Sequence, residues 1–146
     1  MKHILFVCTG NTCRSPMAEA ILKNKNLTGF EVKSAGIYAA NGSEASTHAK
    51  QVMEDNGVAH NHRSSMLTGV EVDWADLILT MTASHKFAIQ QQFPQSGRKV
   101  FTLKEFGGEP FNHDVVDPYG GSREMYEATY RELQEFIDKA IEKLNL

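Results

Sequence analysis

The chain alternates short, continuously apolar runs with longer stretches in which apolar residues recur at helical spacing. Ile4-Leu5-Phe6-Val7 is unbroken by polar residues, the pattern of a strand buried on both faces. Ser15-Pro16 reads as a helix start, with serine as the cap and proline at the first helical position; Met17, Ala20, Ile21 and Asn24 follow at helical spacing. Phe30-Glu31-Val32-Lys33-Ser34 alternates like a strand and ends at Ala35-Gly36. The pattern then predicts a helix over 46–56 stopped by Gly57, a strand over 76–81, a helix over 84–93 closed by Pro94, and a fourth strand over 99–103. A loop rich in Gly, Pro and Asn covers Gly107 to Gly121. The closing helix runs over 122–144, with Met125, Leu133, Phe136, Ile137, Ala140, Ile141 and Leu144 on its apolar stripe.

Strands alternating with helices imply βαβ units. The expected fold is α/β: a single three-layer domain over residues 1–146, with a four-stranded, parallel, twisted sheet and helices on both faces. No internal repeat, low-complexity tract or interdomain linker interrupts it. In such sheets ligands bind beyond the carboxyl ends of the strands, which is where Cys8 follows the first strand.

Composition narrows the function classes. The 146 residues are 41% hydrophobic and 23% charged, ordinary for a soluble globular chain, and a formal charge of −3 gives no reason to expect nucleic-acid or acidic-membrane binding. No run approaches the roughly 18 apolar residues of a membrane span, and the apolar opening run is too short for a signal peptide, so a cytoplasmic protein is expected. Both cysteines, Cys8 and Cys13, lie within six residues of each other. That is neither a disulfide scaffold nor an all-cysteine zinc site, and no histidine lies at ligand spacing from them. Their purpose is expected to be chemical, with no metal and no cofactor; a monomer is the default.

The chemistry is written in Cys8-Thr9-Gly10-Asn11-Thr12-Cys13-Arg14-Ser15, a Cys-x5-Arg-Ser segment between a strand and a helix. A helix N-terminus offers unpaired N–H groups and the positive end of a dipole, which together bind anions. Gly10 and Asn11 tolerate left-handed backbone angles, so the loop can curl with its N–H groups inward. Arg14 presents a planar fork that matches two phosphate oxygens. The same positive surroundings favour the thiolate of Cys8, the nucleophilic form. Ser15 can donate a hydrogen bond to that sulfur. The bland alternative, a packed thiol ending a strand, does not account for Arg14 at this spacing. A leaving group also needs a general acid. The loop before the last helix offers Asp117, in Asp117-Pro118-Tyr119-Gly120-Gly121, with Asp114 a local rival that composition alone does not separate from it.

On these residues the sequence resembles the low-molecular-weight protein tyrosine phosphatases, through essentially the whole chain. The likeness is carried by Val7 to Glu19, Ser34-Ala35-Gly36, the run from Asp76 to Met81, and Asp117-Pro118-Tyr119. It implies that Cys8 forms a phosphocysteine, that Arg14 and the loop residues Thr9, Gly10, Asn11, Thr12 and Cys13 surround the phosphate, and that Asp117 is the general acid and then the general base. It implies that Asn11, Ser15 and Ser34 hold the loop in shape and that His62 supports them, although His60 lies close by in sequence. Cys13 matches the family's second cysteine, which can form a reversible disulfide with the nucleophile and switch activity off; a packed thiol without a redox role is the alternative.

Within that family, Thr12 stands where tyrosine phosphatases typically carry an apolar residue. Cys8 to Glu19, Val100 to Phe106, Met81-Thr82 with His85-Lys86, and Asp117 to Gly121 resemble the YwlE-type bacterial protein arginine phosphatases. Physical reasoning points the same way: an isoleucine beside a phosphoarginine guanidinium would leave N–H donors unpaired, at about 1–3 kcal/mol in a desolvated site. Threonine keeps the β-branched shape and adds an acceptor. Tyr119 could stack on a guanidinium or on a phosphotyrosine ring, and Gly120 replaces a second aromatic. The expected function is therefore hydrolysis of phosphoarginine in phosphorylated proteins, with phosphotyrosine as the alternative substrate. An arsenate reductase relay would need cysteines after Cys13, and there are none. A non-catalytic phosphate-binding module would have no use for Cys8 and the acid together.

Overall fold

The computed structural model describes residues 2–58 and 61–145; His60 lies outside them. The central strand is β1 (Lys2–Cys8), flanked by β2 (Phe30–Gly36) on one side and β3 (Leu77–Thr80) on the other, with β4 (Val100–Thr102) beyond β3. All pairings are parallel, with Cys8 opposite Gly36 and Val7 opposite Thr80. The order β2-β1-β3-β4 means that the chain leaves β1 in one direction and later crosses to its other side. The loops after β1 and β3 therefore meet at a switch point, the natural ligand crevice of an open parallel sheet.

Alternation along β1 explains its unbroken apolar run. Ile4 and Phe6 face one layer, built from α1 (Arg14–Lys23), α2 (Thr47–Asp55) and α6 (Arg123–Leu144); Leu5 and Val7 face the other, built with α3 (Gly69–Trp74) and α4 (Ala83–Gln92). Each fully buried large apolar side chain contributes about 1.5–3 kcal/mol of transfer free energy. Helix α1 is buried along nearly its whole length, from Arg14 to Leu22, because the sheet and α6 both pack on it.

Several expectations shift. Ser15 is not the cap of α1: the helix begins at Arg14, Cys13 occupies the cap position without a side-chain bond to the helix N–H groups, and Pro16 is the third helical residue. The Ser15 hydroxyl is used elsewhere. Asn24 is the exposed C-cap of α1 rather than part of its buried face. Leu103 opens a one-turn helix, α5 (Leu103–Phe106), fixed by reciprocal bonds between Thr102 and Glu105, instead of extending β4. On α6, Met125 is 46% exposed, and Tyr126 and Tyr130 take the buried face. The short α3 and the 3₁₀ segment Pro94–Lys99 carry no strong sequence period.

Candidate active site

The loop 9–13 curls between β1 and α1. Asn11 adopts the left-handed conformation, φ 57°, tolerable for asparagine because its short side chain bonds locally. Those bonds are numerous. The Asn11 amide Nδ2 donates to Ser15 Oγ at 2.8 Å and to Ser34 Oγ at 2.9 Å, Oδ1 accepts from the Ser65 backbone N–H at 2.9 Å, and the backbone carbonyl accepts from His62 Nε2 at 2.6 Å. Gly36 closes the arrangement from β2: a Cβ there would lie 2.6 Å from the Thr9 carbonyl oxygen and 2.9 Å from the Asn11 nitrogen, so any side chain would push the loop out of shape.

Directions of donation follow from these partners. Because Oδ1 is claimed by a backbone N–H, Nδ2 is the end that faces the two serines. Ser15 thus receives a hydrogen bond from Asn11 and lies 2.8 Å from Cys8 Sγ, to which its proton is donated when that sulfur is a thiolate. Ser34 likewise receives from Asn11 and donates to Glu19 Oε1 at 2.6 Å. Glu19, buried and paired with Lys23 at 2.7 Å, was not foreseen as part of the site.

Arg14 is buried. Its Nη1 donates to the Val115 carbonyl at 3.0 Å, and its Nη2 lies 3.6 Å from Asp117 Oδ2. Val115 also donates its N–H to the Met81 carbonyl at the end of β3, so the long loop is tethered to both the arginine and the sheet just before Asp117. Asp117 Oδ1 accepts from the Tyr119 N–H at 3.0 Å, a local turn that directs Tyr119 outward, 76% exposed. Gly120 completes it at φ 77°, where an aromatic residue would be strained; backbone geometry, rather than pocket size alone, accounts for this glycine. Asp114 is engaged elsewhere: its Oδ1 accepts from the Ala83 N–H at the start of α4, 2.8 Å away.

Cys8, Thr9, Gly10, Thr12, Cys13, Arg14, Asp117 and Tyr119 line one cavity of about 220 Å³. The first turn of α1 carries no acidic residue that would occupy its positive end. Cys13 borders the cavity while its Sγ lies 3.3 Å from the Tyr126 hydroxyl, which burial and the Cys13 contact push up to about 12. Both cysteines are free thiols. A larger cleft of about 470 Å³ lies at the amino end of β2, lined by Lys23, Leu27, Phe30 and Lys33 among others, and holds no nucleophile. Among the described residues no cluster of His, Cys, Asp and Glu is placed to hold a metal ion, and no helix is long and apolar enough to cross a membrane.

Two histidines are buried behind the pocket. Burial lowers the pKa of His62, opposed by its bond to Asn11 and by Glu19. His85, missed as a site residue, lies with Nε2 2.9 Å from Thr9 Oγ1; burial and then the Arg14 charge press its pKa down to about 4. Below about 6.5 the unfolded chain protonates these imidazoles while the folded protein resists, so the unfolded state binds more protons and stability falls as pH drops. Denaturant unfolding between about pH 6.5 and pH 4.5 should show this slope, and His85→Gln should flatten it. A slope that the substitution leaves unchanged contradicts a neutral, buried His85.

Residues 3–146 match the family described as low molecular weight phosphotyrosine protein phosphatase. The chain is 54% identical to the protein-arginine-phosphatase of Geobacillus stearothermophilus over 97% of its own length and 95% of that protein's. It is 43% identical to the low molecular weight protein-tyrosine-phosphatase PtpB of Staphylococcus aureus, covering 93% and 94% of the two chains. The structure of the YwlE arginine phosphatase from Geobacillus stearothermophilus superposes with a TM-score of 0.96 at 52% identity, covering 99% of this chain and 94% of that one. The chain is a member of the low molecular weight phosphotyrosine protein phosphatase family.

Proposed function

We propose that this chain is a protein arginine phosphatase that removes the phosphoryl group from phosphoarginine through a phosphocysteine on Cys8. The observation that carries the reading is Thr12, a hydroxyl-bearing residue that lines the same cavity as Cys8, Arg14 and Asp117. The similarity to an arginine phosphatase at 54% identity supports it. The apolar residue that a tyrosine phosphatase typically carries at that place offers the guanidinium N–H groups nothing to bond.

In the first step the Cys8 thiolate attacks phosphorus, a P–S bond forms and the P–N bond breaks. The bond pair leaves on the guanidino nitrogen, which takes a proton from the carboxyl of Asp117. Arg14, held by the Val115 carbonyl through Nη1, keeps the rest of its fork for the phosphoryl oxygens. Inward N–H groups of the loop and the start of α1 stabilise the equatorial charge. In the second step Asp117, now a carboxylate, takes a proton from water as the water oxygen attacks phosphorus. The P–S pair returns to Cys8, where the Ser15 proton stabilises the sulfur anion. Phosphate leaves. Asn11, Ser34 and His62 keep the loop curled throughout. Tyr119, exposed at the rim, supplies a face for the flat guanidinium. Cys13 is close enough in sequence to cap an oxidised Cys8 as a disulfide, and the reading suits a reducing compartment such as the cytoplasm.

Thr12→Ile should lower kcat/KM for a phosphoarginine peptide by about 5- to 150-fold, the equivalent of one guanidinium donor left unpaired, while sparing the phosphotyrosine form of the peptide. An unchanged ratio between the two substrates removes the basis of the arginine assignment. Asp117→Asn should cut turnover by about 10²–10⁴-fold. Asp114→Ala should instead lower thermal stability by about 0.5–2 kcal/mol, as a lost helix-end acceptor does. If Asp114→Ala has the larger effect on turnover, the acid is misassigned.

A further inference from the structure

We propose that His85 is a positioning residue of this site: Nε2 donates to the Thr9 hydroxyl, which commits the Thr9 proton to a phosphoryl oxygen in the pocket. The proposal rests on the phosphatase reading of the site and is independent of whether arginine or tyrosine carries the phosphate.

The topology brings the two residues together. Thr9 directly follows the nucleophile at the end of β1, and His85 is the third residue of α4, which starts just after β3, the neighbour of β1. Both segments meet at the switch point. His85 is 7% exposed, with its backbone N–H bonded to Thr82 Oγ1 at 3.1 Å and its Nε2 2.9 Å from Thr9 Oγ1. Its Nδ1 is buried and finds no hydrogen-bond partner among the described residues.

A neutral imidazole has one N–H and one lone pair, and only two arrangements fit. If Thr9 donated to Nε2, the ring proton would sit on Nδ1, a buried N–H with nothing to accept it. If Nε2 donates to Thr9, the orphan at Nδ1 is a lone pair. Orphaned buried N–H groups are the rarer and costlier kind, so the second arrangement is favoured. Thr9 Oγ1 then already accepts a hydrogen bond, and its own proton must go elsewhere. Thr9 is exposed along the wall of the cavity that holds Cys8 and Arg14, so the acceptor that arrives there is a phosphoryl oxygen.

The rest of Thr9 is fixed as well. Its carbonyl accepts from the Tyr38 N–H at 2.9 Å. Without His85, the side chain would be free to turn among its staggered χ1 wells and the donor would not be pre-aimed. A buried imidazole thus acts on the phosphate through one threonine without touching it.

Two measurements test this. In ¹⁵N-labelled wild-type protein at neutral pH, His85 should carry its proton on Nε2 and show an unprotonated Nδ1; the opposite tautomer overturns the proposal. Inorganic phosphate as a competitive inhibitor of aryl phosphate hydrolysis gives the second readout. Thr9→Val and His85→Phe should each raise its inhibition constant by about 3- to 10-fold, as expected of one net hydrogen bond. The double variant should be no worse than either single one. His85→Gln, whose amide reaches the same place as Nε2, should restore the constant to within about 2-fold of wild type. Additive losses, or a silent His85→Phe beside a damaging Thr9→Val, overturn the proposal. If His85→Phe does not fold, the tautomer of the wild-type ring decides. A wild-type protein that neither binds phosphate nor cleaves aryl phosphates overturns the phosphatase reading, and this proposal falls with it.

Discussion

Asn11 holds its backbone at φ 57° while one amide group feeds two hydroxyls, and the loop around the anion site is built on that. The Nδ2 protons go to Ser15 and Ser34. Each serine passes its own proton outward, Ser15 to the sulfur of Cys8 and Ser34 to the carboxylate of Glu19. The chain of hydrogen bonds therefore starts from a single NH2 and ends on the Cys8 sulfur at one side and the Glu19 carboxylate at the other, with the Ser65 N–H fixing the amide's orientation. Each bond is worth only about 0.5–1.5 kcal/mol net. Flipping the Asn11 amide would put its NH2 against the Ser65 N–H, a donor facing a donor, which keeps Nδ2 on the two serines.

The sheet supplies the rest of the geometry. Placing β1 between β2 and β3 puts Gly36, Thr9 and the start of α4 within reach of one another. Asp117, the proposed acid, arrives from far along the chain, and Val115 is what locates it: its carbonyl holds Arg14 and its N–H holds the Met81 carbonyl after β3. Cys8, Arg14 and Asp117 are thereby referred to the same two strands. This is the kind of preorganisation that lowers a barrier through electrostatics rather than through motion.

How much of this was legible in the sequence depended on the range of the interactions. The four strands and the long helices follow from local periodicity, and the Cys8-to-Arg14 spacing carries the chemistry because the loop is contiguous. Ser15 was read as a helix cap since nothing local shows that Cys8 and Asn11 claim its hydroxyl. Glu19, His85 and Tyr126 lay hidden for the same reason: their partners are Ser34, Thr9 and Cys13, placed beside them only by tertiary packing. Composition does not separate Asp114 from Asp117; in the fold Asp117 lines the cavity with Cys8 and Arg14, whereas Asp114 accepts from the Ala83 N–H. The place of Thr12 in the pocket needs only the loop itself to be read, since its neighbours in sequence are also its neighbours in the cavity.

The central claim is that phosphate passes through the sulfur of Cys8. Rapid quenching of the wild-type protein during turnover of a phosphoarginine peptide, followed by mass-spectrometric mapping of the modified residue, tests it directly. The expected result is a phosphoryl group on Cys8, formed before inorganic phosphate is released and absent in Cys8→Ala under the same conditions. A protein that turns over steadily with no phosphorylated intermediate, or with the phosphoryl group on any other residue, contradicts it.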